Sequence, residues 1–314
     1  MVSIALMRFR RPIVFYRGVV SARKFSESPS RRLVSWLTDQ QGPQLTSDGK
    51  MLHVVAFSGG VDSSVVADRV YTAFPESSLA VLAVSPSLPA EQRTLAHQVA
   101  KSIGIPLHEV RTNEGEKELY IENEGQACYA CKTSLYQSMG WDSVVKWAST
   151  SSTSRKRVRL YNGTNADDVK DATRVGLRAA QEYEVSSPLL ANGLTKQQVR
   201  EVAKDVGLPN WNIAASPCLR SRLALGVQAT PKSLERVERA EIIVKAKLGE
   251  QNKLDEAANI RVRHLKNGSA AIELDDELLS ELDADTLGNM TAEIAQLGYA
   301  SVQVRPFRSG AVST

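Results

Sequence analysis

Cysteines, aromatic residues and long apolar runs are all scarce in this chain. Its 314 residues include three cysteines and four histidines, and 6% are aromatic. An odd cysteine count provides no closed disulfide framework. It also falls one ligand short of a structural zinc site unless a His or carboxylate completes the tetrahedron. No apolar stretch reaches the roughly 18 residues needed to span a bilayer, so no membrane partner is expected. Acids are nearly missing from the first 34 positions, which hold Arg8, Arg10, Arg11, Arg17, Arg23, Lys24, Arg31 and Arg32 against Glu27 alone. Taking that segment from the 39 Lys+Arg and 35 Asp+Glu leaves 31 against 34, a balance of −3 where the whole chain has +4. The body therefore lacks the basic excess that tracks nucleic acid, and a nucleic-acid partner is not expected.

The tail is rich in Arg and Ser, with serines at 21, 26, 28 and 30. That is the composition of a mitochondrial transit peptide. Residues 1–34 are assigned to it, with the mitochondrial matrix as the expected location and the cytoplasm as the alternative. At roughly 150 residues per domain the remainder makes about two domains. A hydrophobic content of 42% with 24% charged residues is globular.

Buried strands are expected at Leu52 to Phe57, Leu79 to Val84, Leu107 to Val110 and Val158 to Tyr161, with a helix from Glu91 to Ile103 closed by Gly104. Strands alternating with helices imply an α/β fold with a doubly wound parallel sheet, whose ligands lie outside the carboxyl ends of the strands. Ser149 to Arg157 reads as a surface insertion. From about Cys218 the pattern changes. A charged amphipathic helix (Pro231 to Leu248) precedes a hairpin of Ile260 to Leu265 and Ala270 to Leu274 around Asn267-Gly268. A helix from Leu278 to Leu297 and a strand from Ser301 to Arg305 complete a smaller α+β domain. The boundaries expected are 35–215 and 216–314.

Ser58-Gly59-Gly60-Val61-Asp62-Ser63-Ser64 follows the first strand and opens a helix. Glycines permit close backbone approach, and a helix N-terminus with adjacent hydroxyls favours an anion. No Gly-Lys-Ser/Thr follows at the Walker offset. The stretch instead resembles the PP-loop of ATP pyrophosphatases. ATP and Mg²⁺ are the cofactors this implies, with Ser58, Ser63 and Ser64 as phosphate donors and Asp62 on the metal or the loop. Ser85, Gly163, Asn165 and Asp168 end other strands where they can reach nucleotide or metal, although Asn165 and Asp168 also suit turn-and-cap roles.

Cys128 and Cys131 form a C-x-x-C pair, and Cys218 stands near Arg220 and Arg222, cations that favour the nucleophilic thiolate. Three thiolates can hold three irons of a cubane and leave the fourth open; three half-buried hydrophobes are the plainer alternative. In Arg261-Val262-Arg263 both arginines share one strand face, which suits a phosphate.

The segments Arg174 to Ala180, Ser187-Pro188-Leu189, Gly193 to Lys196, Val199-Arg200, Gly207-Leu208-Pro209, Trp211 and Pro217-Cys218-Leu219 with Ser221-Arg222 resemble the LarE family, ATP-dependent sulfur transferases of nickel-pincer nucleotide biosynthesis. The likeness runs from about Val54 to Gly310. Ala127 and Ala214 depart from it, where Arg and Pro are common. The resemblance implies that a carboxylate of pyridinium-3,5-biscarboxylic acid mononucleotide is adenylated and that sulfur then displaces AMP. One branch of the family sacrifices the cysteine corresponding to Cys218; another holds a 4Fe–4S cluster on cysteines corresponding to Cys128, Cys131 and Cys218. This chain resembles the second. The resemblance further implies Ser221, Arg222, Arg261 and Arg263 as ligands of the substrate phosphate, Glu241 and Glu273 as neighbours, and a homo-oligomer. A PP-loop tRNA thiolase and a non-catalytic nucleotide-binding regulator are the alternatives.

Overall fold

A computed structural model describes residues 27–40, 51–140, 158–170 and 175–308. Arg174, the stretch Ser149 to Arg157 and residues 1–26 of the tail lie outside them. Four parallel strands form one sheet: β1 (Leu52–Ala56), β2 (Ser78–Val84), β3 (Leu107–Arg111) and β4 (Val158–Tyr161), in the order β3-β2-β1-β4. The central β1 and β2 are short apolar runs buried on both faces, whereas the edge strands β3 and β4 carry polar residues and are half-buried. The strand order reverses between β1 and β4, so the exits of these two strands open the crevice where such sheets bind ligands. Helices Val61–Ala73, Ala90–Ile103 and Lys196–Asp205 pack around the sheet through Val65, Val66, Val99, Val199 and Val202, all buried. Gly104, at φ +83, ends the second of these in the left-handed cap that its sequence position suggested.

The second sheet contains β5 (Ile260–His264), β6 (Ala270–Leu274) and β7 (Val302–Pro306), with β5 and β6 antiparallel and β6 and β7 parallel. Helix Pro231–Glu250 covers it, burying Ala240, Val244 and Leu248 against Val262 and Ile272. The single helix expected from Leu278 to Leu297 is in fact two, Asp276–Ser280 and Ala284–Ala295. Asp283 accepts the Thr286 amide and caps a new start, a bond that competes with helix continuation.

Helix Pro29–Asp39 begins inside the segment assigned to the tail. Ser28 caps it, and Leu33 and Leu37 enter the core of the large sheet at 1% exposure each. Arg69 donates to Ser30 from the neighbouring helix. The packed structure therefore includes residues from Ser28 onward, and any separable tail ends before it.

His53 is buried on β1, stacked on Phe74 at 3.6 Å and hydrogen-bonded to the Tyr161 hydroxyl at 2.8 Å. Burial, aided by the charge of Arg159, lowers its pKa to about 4. The unfolded chain, near 6.5, therefore binds the proton first, and stability falls as pH drops from about 6.5 to about 4. This contribution amounts to up to about 3 kcal/mol at 1.36 kcal/mol per unit. In urea unfolding at pH 7 and pH 4.5, His53→Gln is expected to show a smaller acid loss than the wild type. Deleting residues 1–26 should leave the melting temperature unchanged, whereas Leu33→Ala should cost about 3 kcal/mol.

Candidate active site

The loop after β1 is held from behind. Gly59 takes φ +73, and a Cβ there would lie 2.7 Å from the Ala96 Cα, so only glycine fits. Asn210, fully buried, donates to the Gly59 carbonyl at 2.7 Å and to Ser64 Oγ at 3.0 Å. Gln92 donates to the Ser58 carbonyl at 2.7 Å. The hydroxyls of Ser63 and Ser64 both donate to the Gly60 carbonyl at 2.9 Å. These two serines therefore shape the loop from inside, a different use from the phosphate donors expected of them. Gly60 caps the helix without a side-chain bond. The amides of the first turn are left for an outside acceptor, and Ser58 is exposed beside them.

The loop after β4 meets this turn. A Cβ on Gly163 would stand 2.8 Å from the Ser63 nitrogen and 3.0 Å from the Asp62 carbonyl carbon. Asn165, fully buried, donates to Asp62 Oδ1 at 3.1 Å, and its own Oδ1 accepts the amides of Asp167 and Asp168. Burial raises the pKa of Asp62, the Asn165 bond opposes this, and Asp168 adds repulsion. Lys196 Nζ lies 3.6 Å from Asp168 Oδ1. Two carboxylates at an anion-binding turn suit Mg²⁺, which binds through one or two carboxylates plus phosphate oxygens. Ser85 ends β2 with Oγ 2.9 Å from Ser87 Oγ, at the edge of an open crevice of about 520 Å³ lined also by Arg93 and His97.

The cysteine loop docks on the same edge, with the Leu219 amide donating to the Ser87 carbonyl at 2.8 Å. Helix Ala127–Ser138 carries Cys128, which is exposed, and Cys131, which is half-buried like Cys218. Burial raises the Cys131 thiol to about 12, with further contributions from Cys218, Glu114 and Cys128. Cys131 therefore lies within electrostatic reach of both other cysteines. Arg220 is near Cys218, as its sequence position suggested, and bonds Cys128 Sγ at 2.7 Å and Asn123 Oδ1 at 3.0 Å. Arg222 bonds the Pro217 and Cys218 carbonyls, Ser221 Oγ and Glu241. Neither arginine bonds the Cys218 sulfur: Arg222 takes the loop carbonyls, and Arg220 is engaged by Cys128 and Asn123. Among the described residues no three of His, Cys, Asp and Glu are arranged around a single ion. The donor set matches a cluster in kind alone: three thiols, with Arg220 donating to Cys128 and near Cys131 and Cys218 as well.

Beside the second sheet Arg222 pairs with Glu241 of helix Pro231–Glu250 at 2.8 Å, and on the sheet Arg263 pairs with Glu273 at 2.8 Å, all buried. Arg263 also donates to the Ser221 carbonyl at 2.9 Å, next to the cysteine loop. Arg261 bonds only the Ile260 and Ala215 carbonyls and faces the Phe307 ring. Burial, with Arg222 nearby, lowers its pKa to about 10. Glu241 and Asp275 act on Arg261 only through space, and neither carboxylate bonds it among the described residues. Several participants carried no sequence signal: Asn210, Arg305 (which also binds Glu273 at 2.6 Å) and Glu114, 2% exposed with Oε2 unpartnered among the described residues and acting on Cys131.

The packing at two glycines yields a contrast. Gly163→Ala would collide with backbone and should destabilise by about 1–3 kcal/mol in denaturant unfolding. Gly176→Ala would meet only the flexible stem of Lys132, at 3.3 Å, and should cost less than about 1 kcal/mol.

No family model matches the chain. A protein of Synechocystis named only as uncharacterized protein slr1717 is 33% identical, over 82% of this chain and 90% of its own length. The pyridinium-3,5-bisthiocarboxylic acid mononucleotide synthase of Lactiplantibacillus plantarum is 26% identical over 82% of this chain and 87% of its own. An NH(3)-dependent NAD(+) synthetase of Alkaliphilus metalliredigens matches at 45% over 51 residues, 16% of this chain and 19% of its own. With an uncapped anion-binding turn at the β1 exit and a relative this similar over most of both lengths, the chain belongs to the family of the Synechocystis protein, a LarE-like family of the PP-loop superfamily.

Proposed function

We propose that the protein is an ATP-dependent sulfurtransferase that adenylates a carboxylate of a pyridinium dicarboxylate mononucleotide and replaces the activated oxygen with sulfur. The observation that carries this reading is the position of the Cys218 loop. Its Leu219 amide is tied to the β2 exit, and its carbonyls are tied to the Arg222 and Arg263 cluster. A substrate whose phosphate neutralises Arg261 would then extend past Cys218 toward the phosphate turn. The name of the Lactiplantibacillus relative supports the substrate class.

The substrate carboxylate oxygen attacks the α-phosphorus of ATP, and the bond to pyrophosphate breaks with its electron pair on the leaving oxygen. Asp62 and Asp168 hold Mg²⁺ against the departing charge, while the first-turn amides bind the pyrophosphate. Adenylation converts a poor leaving group into AMP, which a sulfur nucleophile displaces at the acyl carbon. A 4Fe–4S cluster held by Cys128, Cys131 and Cys218 would supply that sulfur as sulfide. Without it, the Cys218 thiolate forms the thioester itself, and β-elimination leaves a thiocarboxylate and dehydroalanine. The assignment of residues 1–26 to mitochondrial targeting is part of this proposal and rests on composition alone.

Asp62→Ala should lower pyrophosphate release from ATP and the pyridinium substrate by at least about 100-fold. Cys218→Ala should still release pyrophosphate yet form no thiocarboxylate. After turnover, intact mass decides the donor: a loss of about 34 Da marks Cys218 as the sacrificed sulfur. An unchanged mass, with Cys128→Ala as inactive in thiocarboxylate formation as Cys218→Ala, marks the cluster. No pyrophosphate from the wild type would overturn the proposal.

A further inference from the structure

Asn123 lies between the short helix Glu118–Ile121 and helix Ala127–Ser138, on the arm that leads to Cys128. It is fully buried and takes φ +54, the left-handed region that Asn tolerates better than most side chains. Backbone kept there is held by its surroundings, and the surroundings are the loop that follows Cys218. Asn123 Nδ2 donates to the carbonyls of Ala224 at 3.0 Å, Val227 at 3.1 Å and Leu223 at 3.5 Å. Its own carbonyl accepts the Gly226 amide at 3.1 Å, and the Ala229 amide donates to the Ile121 carbonyl at 2.8 Å beside it. Oδ1 accepts from Arg220 Nη1 at 3.0 Å. Carbonyls on one side and a guanidinium on the other fix which end of the amide is oxygen. The guanidinium held in this way is the one that meets sulfur, since Arg220 Nη2 donates to Cys128 Sγ at 2.7 Å. A guanidinium is a rigid planar fork, so fixing Nη1 aims Nη2.

We propose that Asn123 is a positioning residue for the sulfur-transfer half of the reaction, which seats the Cys218 loop on the Cys128 arm and aims Arg220 at Cys128, leaving the Cys218 sulfur unencumbered. The inference rests on the ATP-dependent reading above and deepens it. Arg222 and the Leu219 amide tie the same loop to helix Pro231–Glu250 and to Ser87, so Asn123 adds the tie to the cysteine pair. The position asks for amide donors, an acceptor and a left-handed backbone together. Asp would lose the donors, and Gly would keep only the backbone. The step served is the displacement of AMP: as sulfur bonds the acyl carbon, the C–O bond breaks and its electron pair stays on the phosphate. Misplacing an attacking group by about 1 Å can cost about 10²-fold in rate. Adenylation takes place at the phosphate turn, to which Asn123 makes no bond among the described residues. Loss of Asn123 should therefore separate the two halves.

The test is a single turnover with ATP and the pyridinium substrate, reading pyrophosphate and thiocarboxylate from one sample of wild type, Asn123→Gly, Arg220→Met and the double variant. Hydrogen exchange across residues 219–229 follows the loop itself. Asn123→Gly keeps the left-handed backbone, and its pyrophosphate release should stay within about twofold of the wild type. Its thiocarboxylate formation should fall about 10²-fold, with faster exchange across 219–229 and none from Ser58 to Ser64. Arg220→Met should separate the two halves in the same way. The double variant should be no slower than Arg220→Met, because one residue acts through the other. Undiminished thiocarboxylate in either single variant would overturn the proposal, and Arg220→Met decides this even if Asn123→Gly does not fold. Unchanged loop exchange in Asn123→Gly, or losses that multiply in the double variant, would overturn it as well. So would pyrophosphate and thiocarboxylate falling together, the mark of a merely structural residue. A wild type that releases no pyrophosphate would remove the reaction on which the inference rests, and the inference with it.

Discussion

One buried guanidinium holds the two halves of the site in register. Arg222, 1% exposed, grips Glu241 of helix Pro231–Glu250 with two nitrogens while bonding the Pro217 and Cys218 carbonyls and Ser221 Oγ. Such a charge is tolerable only because each donor has a partner, and removing one partner typically costs about 3–5 kcal/mol. The Cys218 sulfur is therefore placed by the C-terminal unit, although it works at the edge of the large sheet.

The charge pattern follows from the same constraint. Glu241 and Glu273 neutralise Arg222, Arg263 and Arg305, so these arginines serve mainly as scaffolding. Arg261, on the same strand face as Arg263, bonds two backbone carbonyls and no carboxylate among the described residues, which is why the proposed function gives it the substrate phosphate. At the other end, Asp62 and Asp168 are held close by Asn165, a pair of like charges that a divalent cation relieves.

Much of this was legible in the sequence. Short apolar strands bounded by Gly, Pro and Asn, the glycine-rich turn and the Asn267-Gly268 hairpin are local signals, and all appear where the pattern puts them. Helix Pro29–Asp39 was obscured by the arginines around it, since Leu33 and Leu37 show as core only once a partner surface exists. The break at Asp283 was hidden because the apolar period continues through it. The Arg220–Cys128 bond joins residues 92 apart in sequence, and Asn210 reaches Gly59 across 151. No spacing rule encodes such contacts, which arise from how the two sheets are set against each other.

Around the thiols, Tyr120, Ala127 and Ala130 pack on Leu219, Leu223, Ala229, Leu234 and Val237, a small apolar cluster separate from the cores of both sheets. It joins stretches about a hundred residues apart, whereas the core of the large sheet is complete by Leu208. During synthesis from the N-terminus, the phosphate turn can therefore acquire its form once Asn210 and Trp211 are available, while the chain beyond them is still emerging. The sulfur pocket must wait until Val237 is free of the ribosome. A nascent chain thus gains its nucleotide-handling half before its reactive one, an order in time set by nothing more than which residues meet around the cysteines.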